Sequence, residues 1–409
     1  MSNNFLETPP DFQDQSTLAD PYPDFCRLRV NNPVYWDESL NAWLLTRHDD
    51  VLEAQRDARR FSSRRVAQLV SARVPPEGRV VMEPFIRLVS RWMYMEDPPY
   101  HTRLRGLLGR AFTPRVIEEL RASVQEIVDS LIRRNARDGR MDLVNDFFYP
   151  LPSMVLAHVY GIPMADAPLL KKWSDDIAVF LTGSLDRSRG PKEALHGVVE
   201  VSEYFGVAME SRRKQPRNDL ISRVLAAAEG GDFSDEEICA QITFVLVAGY
   251  TTTMDMLGNG MFALLSNTEQ LDLLRRDPEL LPAAVEEMLR YDPPGQLSHR
   301  LATEDISMHG QTIRKGDVVF LVRAAANRDP SQFPDPDRFD ITRKSAGHLA
   351  FGAGIHFCMG AALARLEGQI AVRTLLDCFP AIRLDPDAKA VWRADNLQFR
   401  GLKSLWVRF

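Results

Sequence analysis

Cys358 stands alone in the stretch Phe351-Gly-Ala-Gly-Ile-His-Phe-Cys-Met-Gly360, boxed by glycines and followed by the helix-forming run Ala361-Ala-Leu-Ala-Arg-Leu-Glu367. A thiolate at the start of a helix meets unpaired backbone N–H groups and the positive end of the helix dipole, which favour its deprotonated, metal-binding form. Glycines at 352, 354 and 360 leave room for flat backbone against a flat ring. Together these features read as a heme-thiolate site, where backbone donors tune the iron and an electron-rich sulfur favours O–O cleavage on the far face. Three plainer readings compete. A cysteine is usually a small buried hydrophobe. Gly352-x-Gly354 suggests a phosphate loop, but Phe357 stands where the third glycine belongs. A zinc site from His348, His356 and Cys358 lacks a paired C-x-x-C and a fourth ligand at standard spacing.

Other residue sets could do chemistry or support it. In Ala248-Gly249-Tyr250-Thr251-Thr252-Thr253 small residues would let a ligand lie close to a helix, and a hydroxyl could bond it. Alternatively, each hydroxyl bonds a carbonyl one turn back. Glu287 and Arg290 could pair, but the same spacing recurs at Glu53/Arg56, Glu118/Arg121 and Glu210/Arg213, and most such pairs are exposed helix salt bridges. His101 and Arg105 are four apart, so one helix face could offer both to a pair of carboxylates, or could form a basic surface with Arg103 and Arg110.

Holding these residues requires mostly helices. Amphipathic segments cover 113–136, 164–183, 192–213 and 235–266, the last opened by the capping-box pair Ser234/Glu237. Short strands are expected at Val34–Asp37 and Ala42–Thr46, from Asp305 to Phe320 around His309-Gly310 and Lys315-Gly316, and as a closing hairpin around Gly401. Asp49 or Asp50 could cap a helix through Val51.

The stretch around Cys358 resembles the cytochrome P450 family, matching its ten-residue signature F-x-x-G-x-H-x-C-x-G throughout. The resemblance implies heme b as cofactor, with Cys358 as the axial ligand of the metal, Phe351 packing on the ring and His356 bonding a propionate; Gly352 and Gly360 flank it. Residues 248–253 resemble the family's oxygen-binding motif, which gives Thr252 the oxygen-side hydroxyl and places Ala248 beside the heme. Thr251 departs from it, standing where an acid usually relays protons; Asp255, one turn on, or a water chain would replace that acid. Glu287-Met-Leu-Arg290, closed by Asp292-Pro-Pro294, resembles the family's E-x-x-R pair, and Arg338 in Pro336-Asp-Arg-Phe339 would complete a structural cluster. His101, Arg105, Arg300 and His356 are assigned to the propionates. The implied fold is mainly α with a minor β part: one P450 domain over 1–409, β-rich near 30–50, 300–325 and 380–409, with heme between a long central helix and the cysteine-ligand loop.

Composition suits that fold. Hydrophobic residues make up 45% and charged residues 26%, ordinary for a globular protein with a large core. A net charge of -6 argues against nucleic acid. The opening Met1–Pro10 has no basic or apolar run, so neither signal peptide nor membrane anchor is expected, and scattered cysteines suit a reducing cytosol. The expectation is a cytoplasmic monomer of the bacterial type, of the kind found in secondary metabolism. It is a monooxygenase that hydroxylates or epoxidises a hydrophobic small molecule, with electrons from a separate ferredoxin or flavodoxin and its reductase. By the same resemblance the pocket is roofed by about 62–96 and 170–205, with Val80, Met82, Phe85, Trp92, Phe180, Leu181, Ala248 and Leu297 against substrate. Arg64, Arg65, Arg73 and Arg79 in the first segment could meet a carboxylate or simply be solvated. Arg105, Arg110, Arg115, Arg343, Lys344 and Arg365 would make a positive docking face. Two rivals remain: a peroxide-driven peroxygenase of fatty-acid-like substrates, favoured by Thr251, and a non-catalytic heme-based ligand-binding or recruiting protein, disfavoured by Thr252.

Overall fold

Glu237 N–H donates to Ser234 Oγ at 3.2 Å while Ser234 N–H donates to Glu237 Oε2 at 2.8 Å, so the expected capping box opens the helix Asp235–Ser266. In the computed structural model, which describes residues 9–135, 139–182 and 190–409, this helix is 32 residues long, about 48 Å at 1.5 Å per residue. Helices Pro150–Tyr160, Ala167–Thr182, Pro191–Lys214, Leu281–Tyr291 and Ala361–Cys378 pack around it. Two glycines permit the closest crossings. A Cβ at Gly260 would lie 2.7 Å from Met288 Sδ, and one at Gly368 would lie 3.2 Å from Met256 Cε.

Segment 113–136 divides at Leu120 into helices Pro114–Glu119 and Arg121–Asn135, and 164–183 begins with a short turn, Met164–Asp166, before its helix. Residues 1–8, 136 and 183–189, which fall within expected segments, lie outside the described residues. The helix His48–Arg56 is not capped by Asp49 or Asp50, which sit in its first turn; instead Asp329 Oδ2 accepts the His48 N–H at 2.9 Å from across the chain.

The strands are β1 (Val34–Asp37), β2 (Ala42–Leu45), β3 (Phe61–Ser62), β4 (Arg140–Asp142), β5 (Ser298–Ala302) and β6 (Ile306–Met308). After them come β7 (Gln311–Ile313), β8 (Val318–Leu321), β9 (Arg383–Leu384), β10 (Val391–Trp392), β11 (Leu402–Ser404) and β12 (Trp406–Arg408). The main sheet runs β1-β2-β8-β5-β3, antiparallel except where Trp43 of β2 lies parallel to Val319 of β8. β6 and β7 form a hairpin whose turn residues His309 and Gly310 have φ of 48° and 77°, the conformation that favours such a turn. No hairpin closes on Gly401: β11 pairs with β10, while β12 pairs with β4 and β9, because the two strands are drawn to different sheets. The fold is mainly α with a minor β part, and among the described residues no helix is long and apolar enough to cross a membrane.

Candidate heme-thiolate site

Almost the whole central helix from Ile238 to Leu265 is buried, yet Phe244, Val245, Ala248, Gly249, Thr251 and Thr252 keep accessible surface. Their spacing puts them on one helix face. Cys358 is likewise accessible although protein encloses its sulfur. A slot between the helix and the cysteine loop would account for both, and a flat ring would fit such a space. The loop is shaped by backbone: Cys358 N–H donates to the Phe351 carbonyl at 2.9 Å, and Gly354, at φ 67°, carries no Cβ because one would lie 2.6 Å from the Gln55 carbonyl oxygen. Phe351 is buried under the Arg365 guanidinium, 4.6 Å from its ring centre. The glycines differ in function: Gly352 has φ 72°, whereas a Cβ at Gly360 would meet only Cys358 Sγ, at 3.9 Å.

Burial raises the Cys358 thiol above its ordinary range, although the Gly360 N–H and the charges of Arg323, Arg105 and Arg365 pull the other way. The Gly360 N–H thus favours the thiolate as the helix start was expected to, but desolvation of the anion outweighs it, and a cation at the sulfur would supply the rest. Among the described residues no three His, Cys, Asp or Glu side chains gather as a metal site, so the zinc alternative fails.

Around the slot's rim stand donors with nothing to donate to. Neither ring nitrogen of buried His101 has a hydrogen-bond partner, nor has His356 Nδ1 or Trp92 Nε1. The His101 and His356 rings lie 4.4 Å apart, and His356 Nε2 meets Ser63 Oγ at 3.0 Å. Burial, with Arg300, His101 and Arg105 nearby, brings His356 down to about 2, and burial and Arg105 lower His101, so both are neutral N–H donors. Arg300 is 3% exposed, and Arg105 donates to the Phe357 carbonyl at 2.6 Å. This set of donors without acceptors suits a ligand edged by two carboxylates. Tyr100 hydroxyl donates to Glu237 Oε1 at 2.7 Å, tying the helix that carries His101 to the head of the central helix.

Glu287 and Arg290 are wholly buried and pair at 2.7 and 2.8 Å. The third cation corrects the sequence expectation. Arg338 contributes only its carbonyl, to Arg290 at 3.3 Å, while Arg343 Nε reaches Glu287 at 3.3 Å and Ser345 Oγ donates to it at 2.8 Å. Arg343 fits because the chain folds back after Phe339, and Asp340 N–H donates to the same carboxylate at 3.0 Å. Arg290 also holds the carbonyls of Asn327 and Pro336, at 2.9 and 2.8 Å, which fixes the loop leading to Cys358.

Thr252 Oγ1 donates to the Ala248 carbonyl at 2.8 Å, within the accessible face. Asp255 does not reach the slot. It lies one turn on, where the face is covered by residues 393–401: its carboxylate is 1% exposed, paired with Arg393 and packed against Gly401. It anchors the C-terminal segment rather than replacing the acid absent at Thr251.

In the roof, Met82, Phe85, Trp92, Phe180, Leu181 and Leu297 are buried, and the Phe85 and Phe180 rings meet edge to face at 4.9 Å. Val80 does not belong with them, being 81% exposed in the turn after Gly78, which faces solvent. The ends of the first roof segment are pinned together: Asp97 accepts from Ser62 Oγ at 2.5 Å and from Ser63 N–H at 2.8 Å. Sequence reasoning missed Tyr94, His299, Arg323, Arg393 and Glu367. Arg323 donates to the carbonyls of Leu297 and Ala350 at 3.0 and 3.3 Å, with its Nε unpartnered. Glu367 is 3% exposed and burial alone raises it to about 8. The one sequence signal was a charged residue inside an otherwise apolar period, as at Glu367 between Leu366 and Ile370.

A profile described as Cytochrome P450 matches residues 90–389. The chain is 40% identical over 97% of its length, and 92% of the relative's, to cytochrome P450 monooxygenase PikC of Streptomyces venezuelae. It is 37% identical over 98% of its length, and 99% of the relative's, to 6-deoxyerythronolide B hydroxylase of Saccharopolyspora erythraea. The solved structure of P450BioI in complex with hexadec-9Z-enoic acid ligated acyl carrier protein superposes with a TM-score of 0.88 at 35% identity, covering 97% of this chain and 99% of that one. The slot, its cysteine and these relatives agree: the chain belongs to the cytochrome P450 family, an oxidoreductase of the monooxygenase type with heme b as its cofactor.

Proposed function

We propose that this monooxygenase inserts one oxygen atom of O2 into a C–H or C=C bond of a hydrophobic small molecule, using two electrons from a separate ferredoxin or flavodoxin and its reductase. The observation that carries it is the accessible face Ala248/Gly249/Thr252 on a buried helix, together with an enclosed yet accessible Cys358. Bound heme supplies the iron at which O2 is reduced and cleaved. Cys358 would ligate it, Phe351 would pack beneath it, and His101, Arg105, Arg300 and His356 would hold its propionates. Ala248 and Gly249 leave room on the far side. Thr252 holds a proton at Oγ1, which it can turn from the Ala248 carbonyl toward the slot; with Asp255 committed to Arg393, water beside Thr251 and Thr252 would carry protons in. Apolar Phe85, Phe180 and Leu297 would orient substrate and exclude bulk water.

The docking face for the electron donor is less positive than the sequence suggests. Arg343 and Arg365 are taken by Glu287 and Glu286, leaving Arg110, Arg115 and Lys344 exposed. The reading includes a cytoplasmic monomer, in keeping with a net charge of -6 and the lack of a spanning helix among the described residues.

A second reading, peroxide-driven oxygenation, is favoured by one observation: Asp255, the carboxylate one turn from Thr252, is buried and paired with Arg393, and Thr251 stands where the family usually places an acid. Optical titration with fatty acids, terpenoids, steroids, macrolides and small aromatics, watching the Soret band, finds ligands. Turnover of those ligands with ferredoxin, reductase and isotopically labelled O2 should give product carrying one labelled atom. Product with hydrogen peroxide but not with O2 selects the second reading, and no product with any oxidant overturns both.

A further inference from the structure

The four arginines of the first roof segment divide sharply. Arg64 pairs with Glu96 at 2.7 Å, and Arg79 donates to the carbonyls of Ser71 and Val74 at 3.1 Å each, so both belong to the roof's own surface. Arg65 and Arg73 have no carboxylate partner among the described residues. Arg65 is 7% exposed and lies close to the Tyr94 hydroxyl. Arg73, at the end of the helix Val66–Arg73, stays accessible; it donates to the Phe180 carbonyl and its guanidinium stands 5.9 Å from the Phe180 ring.

These two continue a line of cations. Arg65 feels Arg300, and Tyr94 faces Arg65, Arg300 and Arg323 together. His299 lies among Arg65, Arg73, Arg300 and Arg323, and burial with those four charges holds it well below the ordinary histidine range. Burial opposes ionisation of Tyr94, yet the three guanidiniums still bring its phenol below its usual range. Burial and Arg65 bring Arg73 down to about 10. Five guanidiniums, those of Arg65, Arg73, Arg105, Arg300 and Arg323, therefore border this region, with Asp97 as the one described carboxylate that acts on any of them, through Arg300. Ferric iron, the porphyrin dianion and one thiolate sum to zero, so heme adds only its two propionates. Positive charge remains, and of the five guanidiniums Arg73 is the one that stands beside Phe180, in the roof.

A buried cation such as Arg65 without a counter-ion among the described residues is costly, and a site keeps one where a ligand brings the counter-charge; Arg73, accessible in the same segment, is open to that ligand. We infer that the substrate is an amphiphile with an anionic oxygen group, a carboxylate, which Arg73 binds at the roof with Arg65 behind it, while its apolar body runs along Phe180 and Phe85 toward the iron. Arg73, whose one hydrogen bond to a described residue goes from Nη1 to the Phe180 carbonyl, offers the planar fork that suits bidentate carboxylate binding. The inference rests on the monooxygenase reading above and deepens it by naming a feature of the substrate.

The test uses heme-loaded protein and matched probes: dodecanoic, hexadecanoic and cyclohexanebutanoic acids, each with its methyl ester, primary alcohol and N-acetylcysteamine thioester. Soret titrations give a dissociation constant for each. At least one acid should bind ten-fold or more tighter than its neutral twins. Arg73→Gln should remove that preference while ester affinity stays within two-fold, and Arg73→Lys should keep part of it. A panel in which no acid outperforms its ester, alcohol or thioester overturns the inference, including one in which nothing binds. So does an Arg73→Gln that weakens acid and ester alike, which would make Arg73 only a tie to the Phe180 carbonyl. Should Arg73→Gln load heme poorly, Arg65→Gln gives the same comparison. Failure here leaves labelled-oxygen transfer to a neutral ligand measurable, so it is distinguishable from failure of the monooxygenase reading.

Discussion

The cysteine side and the roof of this protein treat charge in opposite ways. Beneath the slot two carboxylates have their answer: buried Glu287 meets Arg290, Arg343 and Ser345, and half-buried Glu286 meets Arg365 and His348. Burial alone would raise Glu286, but those two partners win and hold it at about 2. Above the slot, Arg65 and Arg73 face no described carboxylate. A region that must keep one shape with or without ligand closes its own circuits, and a region that must receive a ligand leaves them open.

That contrast can be broken most severely at Glu287. Glu287→Gln leaves Arg290 and Arg343 without their carboxylate in a fully buried setting, and should cost about 3–5 kcal/mol. Thermal unfolding and heme content check it; full heme loading with unchanged melting would show that the network is not what fixes the cysteine loop. Glu367 sharpens the comparison, since it is the exception on the cysteine side, buried without a cation. Its folded value of about 8 lies above the 4.5 of an ordinary glutamate, so it is protonated in the fold at neutral pH. Such a group stabilises fully below about pH 4.5, and that contribution is lost as pH rises to about 8, a few kcal/mol in all. Urea unfolding from pH 5 to 8 should show this decline in the wild type and a flatter profile in Glu367→Gln; equal slopes would mean the carboxyl is ionised and partnered. The smallest effect separates two neighbours. Arg343→Leu should destabilise by about 2 kcal/mol, and Arg338→Leu by less than about 0.5 kcal/mol, because only the former breaks a buried pair. The reverse order in the melting temperatures would restore Arg338 to the cluster.

The same division governs what the sequence makes legible. Local signals were enough for the Ser234/Glu237 cap, for the helix Asp235–Ser266 to the residue, and for the His309-Gly310 hairpin, because spacing and turn chemistry decide them. The Cys358 stretch identifies the family and its cofactor from ten residues. Partner choice across the chain is another matter. Arg343 rather than Arg338 reaches Glu287, Arg393 takes Asp255, and Asp329 caps the helix at His48; each depends on where a distant loop returns. Val80 looked like pocket lining because it is apolar, yet the turn in which it sits faces outward. Arg65 and Arg73 could not be separated from Arg64 and Arg79 by sequence at all, since only the fold decides which arginines find an acid.

The bonds from Asp97 to Ser62 and Ser63 carry a practical consequence. They draw the two ends of the roof segment to one point, so residues 64–96 leave and rejoin the scaffold at a single neck. Segments with joined ends tolerate exchange far better than segments with distant ones, because the rest of the chain sees the same closure whatever lies between. A roof transplanted from a relative, with Ser62, Ser63 and Asp97 kept, should therefore change which molecules are accepted while the cysteine loop stays as it is.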